Sequence, residues 1–119
     1  MLSKNSHVLS FKYAFEGLVA AFKEEPKLKI HIGFGIIVIL VSFWFQISQI
    51  EWLIIIAMIG FVISVELTNT AIEAVVDSFT EKEHAGAKLA KDISAAAVLV
   101  SAITAALIGL VIFSHYLLK

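Results

Sequence analysis

The chain has 119 residues, 60% of them hydrophobic and 16% charged, with a net charge of −1 and a mean hydropathy of +0.94. That length holds one domain. A soluble domain carries about 25% charged residues, so this composition excludes an ordinary water-soluble protein and makes lipid the main solvent. No basic patch argues for nucleic acid, and the lack of cysteine excludes disulfides and thiolate metal sites.

Residues 1–8 are polar and read as a frayed end. Residues 9–24 read as an amphipathic helix, because Phe11, Phe15, Leu18 and Phe22 repeat at helical spacing along one stripe. Lys12, Glu16 and Lys23 lie mostly off that stripe. With Glu24 and Glu25 they also interrupt any apolar core of the length a signal peptide needs. An amphipathic helix beside membrane spans is expected to lie in the interface plane, and Pro26 marks its end.

No charged residue occurs from Ile32 to Ile50, which supports a first span over about 30–48. Trp44 and Trp52 flank a short polar connection, Gln46–Glu51, at the level where an aromatic belt sits. A second span over about 51–76 is uncharged from Trp52 to Val65 and then continues in helical register with acids in it. Residues 78–90 read as a polar loop. A third span over about 91–115 has no charge from Ile93 to Phe113, and its Ala97, Ser101, Ala105 and Gly109 form a small-residue ladder suited to close helix packing. The expected fold is therefore all-α: an interfacial helix followed by three transmembrane helices. Eight of the nine lysines lie before the first span or between the second and third. The positive-inside rule then puts the N-terminus and the 78–90 loop in the cytoplasm and the C-terminus outside.

The chemistry is expected at the end of the second span. Glu66, Asn69, Glu73 and Asp77 fall at about 0°, −60°, −20° and +20° around the helix, one polar stripe. Glu66 stands fourteen residues after Trp52, roughly 20 Å along the helix. A carboxylate near lipid costs a few kcal/mol, so a chain keeps one there to pair, to bind a cation or to move a proton. Carboxylates without nitrogen ligands suit Mg²⁺, which takes one or two of them together with phosphate oxygens. Glu73 can supply one such ligand, and Glu25, or the less specific Glu24, another. Lys91, beside Asp92 at the start of the third span, suits a counter-charge for phosphates. His84 in the loop could touch a nucleotide, whereas His31 reads as an interfacial residue rather than a metal ligand. There is no Walker A sequence and no kinase-type glycine-rich loop. The residues alone thus lead to a three-span protein with an acidic, cation-binding site, and not to ATP.

Three ordered blocks carry a resemblance. The run Glu66-Leu67-Thr68-Asn69-Thr70-Ala71-Ile72-Glu73-Ala74-Val75-Val76-Asp77 resembles the signature of the small bacterial diacylglycerol kinase and undecaprenol kinase family. Ala90-Lys91-Asp92-Ile93-Ser94-Ala95-Ala96-Ala97-Val98 is similar to its second block, and Gly17-Leu18, Ala20-Ala21-Phe22 and Glu25 to its N-terminal block. The similarity covers residues 10–115. It implies a homotrimer with shared active sites in the bacterial cytoplasmic membrane, transferring the γ-phosphate of MgATP to a lipid hydroxyl. Carried over to this sequence, Glu66 resembles the catalytic base that meets the lipid, and Asn69 a site residue supporting it. Glu25 and Glu73 resemble the metal- and nucleotide-binding pair. Tyr13, Lys91, Asp92 and the Lys82-Glu83-His84 stretch resemble nucleotide contacts, with Asp77 in support. Two departures bear on the substrate. The chain has no Arg, whereas the diacylglycerol kinase branch has one near the position of Ser6. That branch also has an acid where His31 stands, and His there is similar to the undecaprenol kinase branch. The resemblance therefore ranks undecaprenol first and diacylglycerol second.

Two other classes compete. A small proton- or ion-coupled transporter would use Glu66 as an intramembrane carboxylate, and predicts an acid near mid-span. A non-catalytic assembly subunit would make the small-residue ladder the main feature, but leaves the polar stripe unexplained.

Overall fold

The computed structural model describes residues 6–80 and 84–119. It has four helices among those residues: α1 (Ser6–Glu24), α2 (Pro26–Phe45), α3 (Gln49–Phe79) and α4 (Ala85–Leu117). The last three are long and apolar enough to cross a membrane. The all-helical architecture follows from lipid as solvent, where a helix satisfies every backbone group within its own segment.

The boundaries have local causes. Glu25 is extended, with φ −107° and ψ 106°, and Pro26 opens α2, where a missing N–H costs nothing. The first span therefore starts four residues before the expected position. Gln46 ends α2 at a positive φ of 53°, a left-handed cap whose N–H donates to the Phe43 carbonyl. Ser48 then caps α3 in a reciprocal box with Glu51: the Glu51 N–H donates to Ser48 Oγ at 3.2 Å, and the Ser48 N–H to Glu51 Oε1 at 2.9 Å. The polar connection is thus shorter than Gln46–Glu51, because its second half is helical. The 78–90 loop also shortens. α3 runs to Phe79, and α4 begins at Ala85 behind His84, whose Nδ1 accepts from the Gly86 and Ala87 N–H groups at 3.1 and 3.3 Å.

Each spanning helix buries a seam with a seven-residue repeat. Leu28, Gly35 and Ser42 do so on α2, Ile55, Val62 and Asn69 on α3, and Ser94 and Ser101 on α4. A period of seven keeps one narrow face of a helix against its neighbours, and small residues bring the backbones close. At Gly35 an added Cβ would stand 3.3 Å from Ile59 Cγ2. The α3–α4 pairing is the most extensive, followed by α2–α3. An apolar cluster of Ile47, Ile55 and Ile112 closes the end near the α2–α3 turn. There Tyr116 donates to Glu51 Oε1, tying the end of α4 to the start of α3.

The chain measures 54 × 43 × 23 Å, a plate about two helix diameters thick, so much apolar surface stays uncovered. α1 buries nothing and exposes Phe11, Phe15, Leu18 and Phe22, the stripe expected of an interfacial helix. The ladder on α4 is packed only in part. Ser101 is buried, Ala97 is exposed, and Ala105 and Gly109 line an apolar cavity of about 630 Å³ between α2, α3 and α4.

Candidate active site

α3 is 31 residues long, about 46 Å, whereas the hydrocarbon core of a bilayer is about 30 Å. If Gln49 marks one surface, Glu66 lies about 26 Å along and Glu73 about 36 Å. The polar stripe therefore begins at the far rim of the hydrocarbon and continues into the headgroup layer. This depth disfavours a transporter with its acid at mid-span.

Glu66 is fully buried, and among the described residues neither oxygen of its carboxyl has a hydrogen-bond partner. His31 on α2 faces it, with Nε2 3.6 Å from Glu66 Oε2 and a side chain 21% exposed. That separation is too long for a hydrogen bond and becomes an ion-pair contact only when the imidazole is protonated. His31, expected as a plain interfacial residue, is thus a neighbour of the central carboxyl. Its signal in the sequence was that it ends the polar entry to an otherwise apolar span. Lys27, Glu25 and Glu73 also stand near enough for their charges to act on Glu66.

One turn and two turns further along α3, the stripe is knit together. Asn69, 2% exposed, donates from Nδ2 to Glu73 Oε1 at 3.1 Å. Its Oδ1 accepts from Ser94 Oγ on α4 at 2.6 Å. The sequence does not mark Ser94 for this role, because no spacing rule links residues 25 positions apart on different helices. Beyond them, Lys91 Nζ donates to Asp77 Oδ1 at 2.9 Å, and Lys88 Nζ to Asp92 Oδ2 at 2.6 Å. Asp77 thus holds Lys91 over the end of α3, and Asp92 is paired along its own helix.

The N-terminal residues arrive from α1. A cavity of about 420 Å³ between α1 and α3 is lined by Glu24 and Glu25 from one side and by Leu67, Thr70 and Ala74 from the other. The fold therefore brings the break after α1 against α3 at the level of Leu67 to Ala74. Tyr13 stands exposed on α1. His84 is exposed, but its Nδ1 is occupied in capping α4, which leaves only Nε2 for another partner. Lys82 and Glu83 lie outside the described residues.

Among the described residues, no three His, Asp or Glu side chains converge as a ligand set for a metal ion. Glu25 lines the α1–α3 cavity opposite Leu67, Thr70 and Ala74, while Glu73 is held by Asn69 on the polar stripe; two carboxylates would suffice for Mg²⁺ where phosphate oxygens complete its shell. The donors fit a nucleotide-borne cation better than a cage for a free one.

The sequence profile of the family described as prokaryotic diacylglycerol kinase matches residues 12–113. The chain belongs to this family. Among its relatives, an undecaprenol kinase of Bacillus subtilis is 41% identical over 92% of this chain and 89% of its own length. A diacylglycerol kinase of Escherichia coli K12 is 30% identical over 87% and 86%. A diacylglycerol kinase of Synechocystis is 36% identical over 86% of this chain, which spans 59% of that relative. Membership in a kinase family, with three apolar helices, makes this a multi-pass membrane protein of the phosphotransferase class. It also removes the non-catalytic assembly subunit from consideration.

Proposed function

We propose that the chain is an ATP-dependent lipid kinase that phosphorylates undecaprenol, giving undecaprenyl phosphate. The observation that carries the reading is the buried, unpartnered carboxyl of Glu66 on the same α3 face as Glu73, with Lys91 close behind. The lipid hydroxyl attacks the γ-phosphorus of ATP, Glu66 accepts the hydroxyl proton, and ADP leaves. An alcohol is a weak nucleophile, so a positioned base contributes about 10²- to 10⁴-fold. Lys91 offsets charge on the phosphates, and the rest of catalysis is positioning and electrostatics. Mg²⁺ would be held by Glu25 and Glu73 and would neutralise phosphate oxygens. Asn69 orients Glu73. Tyr13, Asp92, Lys82, Glu83 and His84 form the remaining nucleotide contacts, and Asp77 supports Lys91.

The thin plate and the incompletely packed ladder support a homotrimer with shared sites. The lysine distribution supports a bacterial cytoplasmic membrane with the N-terminus and the α3–α4 connection inside and the C-terminus outside. Undecaprenol is ranked above diacylglycerol because identity to the undecaprenol kinase, at 41%, exceeds that to the Escherichia coli diacylglycerol kinase, at 30%. The lack of Arg and the presence of His31 agree with this ranking. The test is transfer of labelled γ-phosphate from ATP to a panel of lipids in nanodiscs. Undecaprenol should be the preferred acceptor. A tenfold preference for diacylglycerol would reverse the ranking, and proton-linked uptake without ATP consumption would replace the kinase by a transporter.

A further inference from the structure

We propose that Ser94 is a positioning residue for the cation site: its hydroxyl locks the amide of Asn69 in the one orientation that presents an N–H to Glu73. The proposal rests on the reading of Glu73 as a cation ligand.

The hydrogen-bond inventory leaves one consistent assignment. An ionised Glu73 carboxylate only accepts, so Asn69 must turn its NH₂ toward it, and the separation there is 3.1 Å. The amide oxygen then faces α4 and needs a donor, because both ends of that contact are buried, Asn69 at 2% and Ser94 at 7% exposure. Ser94 Oγ lies 2.6 Å from Asn69 Oδ1 and 3.1 Å from the Lys91 carbonyl oxygen. A serine hydroxyl has one proton. If that proton went to the Lys91 carbonyl, Asn69 would have to donate to Ser94 and set its oxygen against the Glu73 carboxylate, two acceptors facing each other. The short contact to Asn69 is the arrangement that satisfies all three side chains.

The consequence reaches the cation through two hydrogen bonds. With Glu73 Oε1 held by Asn69, the carboxylate has a fixed plane and a second oxygen free to ligate. Without the Ser94 hydroxyl, Asn69 Oδ1 is left in a buried place with no donor, the amide is held only at its Glu73 end, and Glu73 is positioned less firmly. Ser94 lies one turn after Lys91, so the same contact ties the phosphate-facing turn of α4 to the cation-binding carboxylate of α3. Partners of this kind that orient a ligand change metal affinity by roughly 10- to 100-fold when removed.

The experiment uses the full chain in detergent micelles with Mn²⁺ as the probe, followed by electron paramagnetic resonance in the presence of a non-hydrolysable ATP analogue. Ser94→Ala should weaken Mn²⁺ binding by roughly tenfold. It should raise KM for the metal–nucleotide complex in step, and change kcat much less. The double variant Ser94→Ala/Asn69→Ala should bind Mn²⁺ no more weakly than Asn69→Ala alone, because Ser94 acts only through Asn69. Unchanged Mn²⁺ affinity in Ser94→Ala, or full additivity in the double variant, would overturn the proposal. Glu73→Gln separates the two levels. If it weakens Mn²⁺ binding and Ser94→Ala does not, the positioning role alone fails. If Glu73→Gln also leaves Mn²⁺ binding intact, the reading of Glu73 fails and the proposal with it.

Discussion

Glu66 should trade stability for activity, and the structure sets the size of the trade. Its carboxyl is fully buried, and among the described residues neither oxygen receives a hydrogen bond. A buried polar group without a partner costs about 1–3 kcal/mol. Glu66→Met keeps the length of the side chain and removes both oxygens. It leaves His31 partly exposed and therefore able to hydrate. The variant should thus be more stable, by about 1–3 kcal/mol for the cost removed less the up to about 1 kcal/mol that the contact with His31 contributes. Activity should move the opposite way. Glu66→Gln and Glu66→Met should each lower kcat by about 10²- to 10⁴-fold, the share of a general base. The assay pairs labelled phosphate transfer in nanodiscs with unfolding in mixed micelles followed by the fluorescence of Trp44 and Trp52. If Glu66→Met unfolds more readily than the parent, the carboxyl is a structural group with a partner in the assembly. If Glu66→Gln retains more than a tenth of the parent kcat, Glu66 is not the base.

His31→Gln removes the imidazole 3.6 Å from Glu66. A pair still touched by solvent is worth up to about 1 kcal/mol, so kcat should fall about fivefold; a loss as large as that of Glu66→Gln would make His31 part of the proton path itself. Lys91→Ala should raise KM for ATP with kcat affected less, and Asp77→Asn, which only releases Lys91 from its 2.9 Å contact, should give the same pattern more weakly. Steady-state kinetics at fixed lipid decides it, and a larger effect from Asp77→Asn would reverse their roles. Gly35→Leu should overpack the α2–α3 contact, where even a Cβ meets Ile59 at 3.3 Å, at a cost of about 1–3 kcal/mol; an unchanged unfolding midpoint would mean that the helices separate freely there.

The helices were legible because hydropathy and charge act locally. Pro26, the charge-free runs and the Phe stripe at 11, 15, 18 and 22 each report on a few adjacent turns. The boundaries were less so. Glu51 looks like a loop charge until Ser48 is seen to cap with it, and Ala85–Ala90 looks like a loop until His84 is seen to cap α4. In the site, Glu66, Asn69 and Glu73 could be grouped because they share one helix and a fixed angle per residue. His31 and Ser94 could not. Their importance comes from crossings between helices, set by Gly35 on α2 and by the serine seam of α4. Composition reports such crossings only as a general tendency of small residues to pack.

The spacing of the two central carboxyls suits a reaction between molecules from different solvents. Glu66 and Glu73 are seven residues apart, two turns on one face, which is about 10 Å along the axis. On the proposed reading, a long-chain alcohol keeps its tail in hydrocarbon and can bring its hydroxyl only to the rim, where Glu66 would meet it. A nucleotide stays in water and can bring its phosphates and cation down only to the headgroup layer, where Glu73, Lys91 and Glu25 stand. A single helix long enough to cross the membrane and continue, 31 residues in α3, fixes both levels without a separate nucleotide-binding domain. Sliding the stripe by one turn in either direction would strand one of the two reactants. On the proposed function, this accounts for a buried carboxyl at position 66 despite its cost in stability.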